Sequence, residues 1–205
     1  MCAGLASQFA INEIRKQEIL LGEFLHGVCD FAQSAMGNRE LNMVRNFENP
    51  VRLFTDPDVL EKVCNGLLKN AIENTPDQGI IEINATKKNG KIRIEFRDTG
   101  VGITSENQKL IFGGFFHTQD TMLYSSKKPY EFNAGGTGSD LLRIKTFSER
   151  LGFTVEFTSS RCKFIPTDRD MCPGSISSCH FITEESECFS SGGSVFSVIF
   201  NVNKI

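Results

Sequence analysis

Three short polar motifs, set far apart between Asn65 and Gly138, constrain this 205-residue chain more than any other feature. They read Asn65-Gly-Leu-Leu-Lys-Asn70-Ala-Ile-Glu-Asn74-Thr-Pro, then Asp98-Thr-Gly100-Val-Gly102-Ile103, then Gly135-Gly136-Thr137-Gly138-Ser-Asp-Leu, and each breaks into apolar surroundings. The first sits on a predicted helix. Asp56 before Pro57 is a start signal, because Asp caps free amides and proline at the first helical position loses no needed hydrogen bond. From about 57 to 73, Val59, Leu60, Val63, Cys64, Leu67, Leu68, Ala71 and Ile72 form one apolar arc at about 100° per residue. On that wheel Asn70 falls between Val59 and Val63, and Asn74 between Val63 and Leu67. Two amides therefore face the buried side, where an unpaired polar group costs ~1–3 kcal/mol, so a polar partner is required. For Asn74 a second reading stands beside this one: it ends the helix in a left-handed conformation before Thr75-Pro76.

The second motif closes a predicted hairpin. Residues 80–86 and 91–97 flank Asn89-Gly90, a dipeptide suited to the positive φ angles of a tight strand-to-strand turn. Ile92, Ile94 and Phe96 share a face of the second strand, and period-two alternation puts Asp98 on that same inward face. A carboxylate there needs donors to stay ionised; the alternative is a strand-end aspartate making an ordinary turn. The third motif is a glycine loop opening a helix over about 140–151, stopped by Gly152. Such a loop presents free backbone amides and a partial positive charge suited to phosphates.

A helix with inward asparagines, a strand ending in Asp-x-Gly-x-Gly and a glycine loop feeding a second helix together resemble the ATP-binding catalytic domain of sensor histidine kinases, whose fold also serves gyrase-type and Hsp90-type ATPases. The resemblance covers roughly residues 20–160 and resumes at 194–203. It implies an α/β (α+β) two-layer sandwich of Bergerat type, with a mixed, largely antiparallel sheet covered on one face by helices and an ATP lid over 104–134. It implies ATP contacts at Asn70, Asn74, Asp98, Gly100, Gly102, Ile103, Phe112, Gly136, Thr137 and Gly138, with Asn70 also holding Mg2+. The run Leu110-Ile-Phe112-Gly-Gly-Phe115-Phe116 resembles the phenylalanine motif at the lid base, the alternative being simple aromatic packing. The activity implied is transfer of the γ-phosphoryl group to a histidine on a dimerisation domain, in a homodimer that works with a response regulator. Two rivals share the fold: a catalytically silent sensor or interaction module, and a serine kinase of the anti-sigma-factor type.

Three positions depart from the family pattern. Gly66 stands where gyrase-type enzymes carry the water-activating glutamate, which implies poor unassisted ATP hydrolysis. Glu73 and Asn74 stand where the family often has lysine and an aromatic. Asp140 puts a carboxylate at the glycine-loop helix, either repelling phosphate or facing solvent.

Composition excludes other classes. A net charge of −3 without a dense basic run gives no support to nucleic-acid binding. The chain lacks a run of 18 apolar residues and a signal-peptide pattern, which implies a cytoplasmic setting with reduced cysteines. Residues 1–37 read as an N-terminal helical segment, the end of a dimerisation hairpin, ahead of a 38–205 ATP-binding domain. His26, followed by Gly27, does not match the phosphoacceptor pattern, so that histidine is expected outside this chain. Short strands are expected over 39–54, broken near Asn49-Pro50. Between two expected paired strands, 153–158 and 195–202, an insertion at 161–193 carries Cys162, Cys172, Cys179 and Cys188. Those thiols suit a zinc or iron–sulfur site, a redox pair, or an ordinary loop folded outward from the ATP site.

Overall fold

The computed structural model of the protein describes residues 13–112, 128–134, 139–167 and 169–202. In chain order its elements are β1 (Gln17–Leu20), α1 (Leu21–Ala35), β2 (Asn42–Phe47), β3 (Arg52–Thr55), α2 (Pro57–Asn74), β4 (Ile80–Lys88), β5 (Lys91–Asp98), α3 (Ser105–Gln108), α4 (Ser139–Leu151), β6 (Thr154–Ser160), α5 (Glu185–Phe189) and β7 (Gly193–Asn201). Five strands form one sheet in the order β2-β4-β5-β7-β6, with β2 parallel to β4 and the other neighbours antiparallel. β1 and β3 form a separate antiparallel pair.

Local chemistry accounts for the central elements. The Asp56 carboxylate accepts from the amides of Asp58 and Val59, capping α2, and Pro57 occupies its first turn. All eight apolar residues of the expected arc on α2 are buried. At the β4–β5 turn Asn89 and Gly90 have φ of 53° and 69°, the left-handed geometry that matches strand twist. Ile92, Ile94 and Phe96 of β5 face α2 and pack in one core with Ile81, Ile83, Phe196 and Val198 of the neighbouring strands and with Leu21, Leu25, Ile144 and Phe147 of the helices. Each such side chain contributes about 1.5–3 kcal/mol on burial.

The N-terminal segment departs from expectation. Within 13–37 the chain is not helical throughout: Gln17–Leu20 pairs with Arg52–Thr55, and the helix starts only at Leu21. The apolar residues at mixed intervals there serve two elements, and Leu21, Leu25, Val28 and Cys29 of α1 belong to the same core as α2. The expected break of the 39–54 strands falls where anticipated, between β2 and β3.

Candidate functional site

The site is built where the C-terminal end of α2 meets the ends of β5 and β7. Asp98, the last residue of β5, is 7% exposed. Its Oδ1 accepts from Gly100 N at 2.9 Å and from Ser194 N at 3.2 Å. Both donors spend themselves on Oδ1, leaving Oδ2 without a protein donor among the described residues. Burial pushes the carboxyl up to about 7, against the two backbone donors that hold it down. An acidic group held close to neutrality, with one oxygen unmatched, suits a ligand that brings an N–H donor.

The glycines that follow are required by close approach. A Cβ on Gly100 would lie 2.3 Å from the Asn74 carbonyl oxygen, and one on Gly102, whose φ is +64°, would lie 1.8 Å from the Ser160 carbonyl oxygen. Val101 N donates to Asn74 O at 2.9 Å, which fastens this loop to the end of α2. Ile103 is half-buried, its amide donating to Ser159 Oγ at 2.9 Å. Phe112 packs edge-on against Phe157 with ring centroids 5.6 Å apart.

The two asparagines diverge. Asn70 is half-buried on α2. Asn74 is exposed and turns its amide back to Asn70 O at 2.8 Å, so it neither enters the buried side nor adopts a left-handed cap. Pro76 is the physical reason. The residue before a proline is driven to extended geometry, and Thr75 caps α2 at φ −101°, ψ 126°, with its hydroxyl bonded to Ala71 O.

The residues that break the family pattern form a network of their own. Glu73 is 3% exposed and takes Lys69 Nζ at 3.1 Å on both carboxylate oxygens, while Oε1 also accepts from Tyr130 N at 3.0 Å. Asp140 is neither bare nor solvent-facing: Arg143 lies 2.8 Å from it and Lys69 3.6 Å. A Cβ on Gly66 would meet Ile144 Cδ1 of α4 at 3.5 Å, an ordinary van der Waals contact, so α4 packs against α2 at this position.

Sequence reasoning missed Arg39. Its guanidinium donates to the carbonyls of Ile72, Thr75 and Tyr130 at 3.1, 2.6 and 2.9 Å and pairs with Asp77, tying the end of α2 to the 128–134 segment. No local pattern marks such a residue, since its partners lie 33 to 91 positions away. Gly136, Thr137 and Gly138 of the glycine loop, and residues 113–127 of the lid, lie outside the described residues.

The insertion is not folded outward. Cys162 N donates to Val101 O, Asp77 N to Gly174 O, and Ile176 N to Asp77 O, all at 2.9–3.0 Å. Cys162, Cys172 and Cys188 line a cavity together with Pro76, Thr99, Gly100 and Val101. Cys162, Cys172, Cys179 and Cys188 are free thiols, and among the described residues no three His, Cys, Asp or Glu side chains are arranged to hold a metal ion. Backbone hydrogen bonds to the domain organise this segment, and Cys162 and Cys179 lie close enough to both Cys172 and Cys188 to disfavour their thiolates. Burial raises Cys188 to about 11 and pushes the Cys172 thiol upward too.

The histidine kinase-, DNA gyrase B- and HSP90-like ATPase family model matches residues 55–202. Among similar sequences, the sensor protein GacS of Pseudomonas syringae pv. syringae is 28% identical over 117 residues, covering 55% of this chain and 12% of GacS. The adaptive-response sensory kinase SasA of Synechocystis sp. is 26% identical over 117 residues, covering 56% of this chain and 30% of SasA. The chain thus spans less than a third of either relative. Among solved structures, the nucleotide-free catalytic domain of histidine kinase ThkA superposes with a TM-score of 0.61 at 19% identity, covering 91% of this chain and 95% of that one. The Acinetobacter baumannii histidine kinase AdeS gives 0.60 at 15% identity, covering 98% and 74%. At these identities the structures speak to the fold: an open mixed sheet with helices on it.

Proposed function

The chain belongs to the histidine kinase-, DNA gyrase B- and HSP90-like ATPase family, and from that premise we propose that it is the ATP-binding catalytic domain of a two-component sensor histidine kinase. Asp98 carries the reading. Its unmatched Oδ2 fits the exocyclic amino group of adenine, while Gly100 and Gly102 keep side chains out of a loop that packs against the end of α2. Bound Mg-ATP would supply the γ-phosphoryl group, and the chain's own residues bind and orient it.

In this reading Asp98 selects the base, Ile103 and Phe112 give the base apolar surface, and half-buried Asn70 presents its amide to Mg2+. The sequence Gly136-Thr137-Gly138, outside the described residues, is of the kind whose backbone amides bind phosphates ahead of a helix. Asn74, exposed and bonded to Asn70 O, is given no contact in this reading. Phosphoryl transfer depends chiefly on positioning and charge neutralisation, so no nucleophile is needed within the domain. The acceptor histidine belongs to a dimerisation domain of a homodimeric receptor, acting with a response regulator in the cytoplasm. Gly66, packed under α4, offers no base to activate water, which favours transfer to an imidazole over hydrolysis.

Isothermal titration with Mg-ADP and a non-hydrolysable ATP analogue tests this. One site per chain that also accepts adenosine is expected. A folded chain that binds none of the three would refute it.

A further inference from the structure

Between Asn70 and the first turn of α4 the chain holds four charged side chains in a balanced cluster, Lys69 and Arg143 against Glu73 and Asp140. Lys69 immediately precedes Asn70, its side chain is 22% exposed, and it reaches across the gap between the two helices. An ammonium carries three N–H donors. Glu73 engages two of them at most, at 3.1 Å, and Asp140 at 3.6 Å lies beyond hydrogen-bond distance. One proton of Lys69 therefore lacks an acceptor within hydrogen-bond distance among the described residues. Asp140 is better served by Arg143, at 2.8 Å, than by Lys69. Arg143 Nε is itself buried without an acceptor, so the cluster has donor capacity in excess of what its two carboxylates use.

Glu73 cannot contact a phosphate. It is buried, negatively charged and occupied by Lys69 and the Tyr130 amide, so the positive charge at this end of α2 is delivered from one helical turn earlier.

We infer that Lys69 is the phosphate-contacting cation of this chain, positioned by Glu73 and parked against Asp140 until a nucleotide's phosphates displace that carboxylate. This rests on the nucleotide reading above and adds to it which residue neutralises the phosphates. Glu73 is a positioning residue here: its ion pair holds the lysine stem along α2 and aims the ammonium at the gap. Asp140 acts as a competitor for the same ammonium, which makes its effect on phosphate affinity depend on Lys69 and not on bare repulsion.

The test is titration of the full chain with adenosine, Mg-ADP and the magnesium complex of a non-hydrolysable ATP analogue. Lys69→Gln should weaken the triphosphate analogue by about tenfold or more, the scale of a lost charge-assisted hydrogen bond, and leave adenosine within about twofold. Lys69→Arg preserves the pair with Glu73 and should retain most of the affinity. Asp140→Asn should tighten the analogue several-fold, and the gain should disappear in the double variant with Lys69→Gln. Equal loss for adenosine and the analogue in Lys69→Gln would overturn the inference, as would an Asp140→Asn gain that persists without Lys69, which is the mark of simple repulsion. If Lys69→Gln fails to fold, loss of analogue affinity in a folded Lys69→Arg variant overturns it instead. Failure of the unaltered chain to bind adenosine would remove the nucleotide reading, and this inference with it.

Discussion

If Asp98 recognises the base as proposed, adenosine affinity should rise about tenfold between pH 6 and pH 8, because its carboxyl titrates in that window. Burial raises Asp98 to about 7. Oδ1 is committed to two backbone amides, so the proton of the neutral form resides on Oδ2, the atom that would accept from adenine. A protonated Oδ2 sets a donor against a donor. The ionised fraction is about 0.09 at pH 6 and about 0.91 at pH 8, a ratio of about ten, or ~1.4 kcal/mol of apparent affinity. Binding should release about half a proton per site at pH 7. Adenosine is the proper ligand, since it has no phosphate that titrates in the same range. Calorimetry in two buffers of different ionisation enthalpy reads both quantities. Asp98→Asn should bind about 1–3 kcal/mol more weakly and lose the slope. A flat profile in the unaltered chain, or an equal slope in the asparagine variant, would refute the assignment of Asp98 to the base.

The same shift bears on stability. The folded chain keeps this proton up to about 7 while an unfolded aspartate releases it near 4, so the nucleotide-free protein should melt lower at pH 8 than at pH 5, and Asp98→Asn should reduce the difference. Asn70→Ala should abolish the magnesium dependence of triphosphate binding while sparing adenosine; equal loss for both would mark Asn70 as structural. Gly102→Ala should cost about 2–4 kcal/mol in denaturant unfolding, since it combines a left-handed residue with a Cβ driven into the Ser160 carbonyl, and an unchanged midpoint would contradict the loop geometry. Cys188, neutral until about pH 11, should alkylate slowly at pH 7.5 and accelerate steeply above pH 10 by mass-spectrometric mapping, and rapid labelling at neutral pH would show the thiol in different surroundings.

What the sequence determined by itself was whatever depends on a few neighbouring residues. Asp56-Pro57 set the start of α2 because the cap and the proline act within one turn. Asn89-Gly90 set the hairpin turn, and period-two alternation then carried the inward phase from Ile92 to Asp98. The fold class and the buried placement of Asp98 were legible for that reason. Asn74 was not, although its explanation, Pro76, stood two residues away. The helical wheel records direction but not where the helix stops being covered.

Other features were decided only when distant segments met. Gln17–Leu20 is a strand because Arg52–Thr55 lies beside it, and four residues have too few backbone hydrogen bonds of their own to choose. Asp140 reads as a repulsive charge in one dimension, and only the packing of α4 on α2 at Gly66 brings Lys69 to it across 71 positions. Arg39 gathers carbonyls from three segments that no window of sequence contains. The cysteine insertion follows the same rule. Its spacing left a metal site, a redox pair and an ordinary loop open, whereas in three dimensions the amides of Cys162 and Asp77 donate to the carbonyls of Val101 and Gly174 and fasten it to the domain, because buried amides must be paired wherever the chain happens to pass.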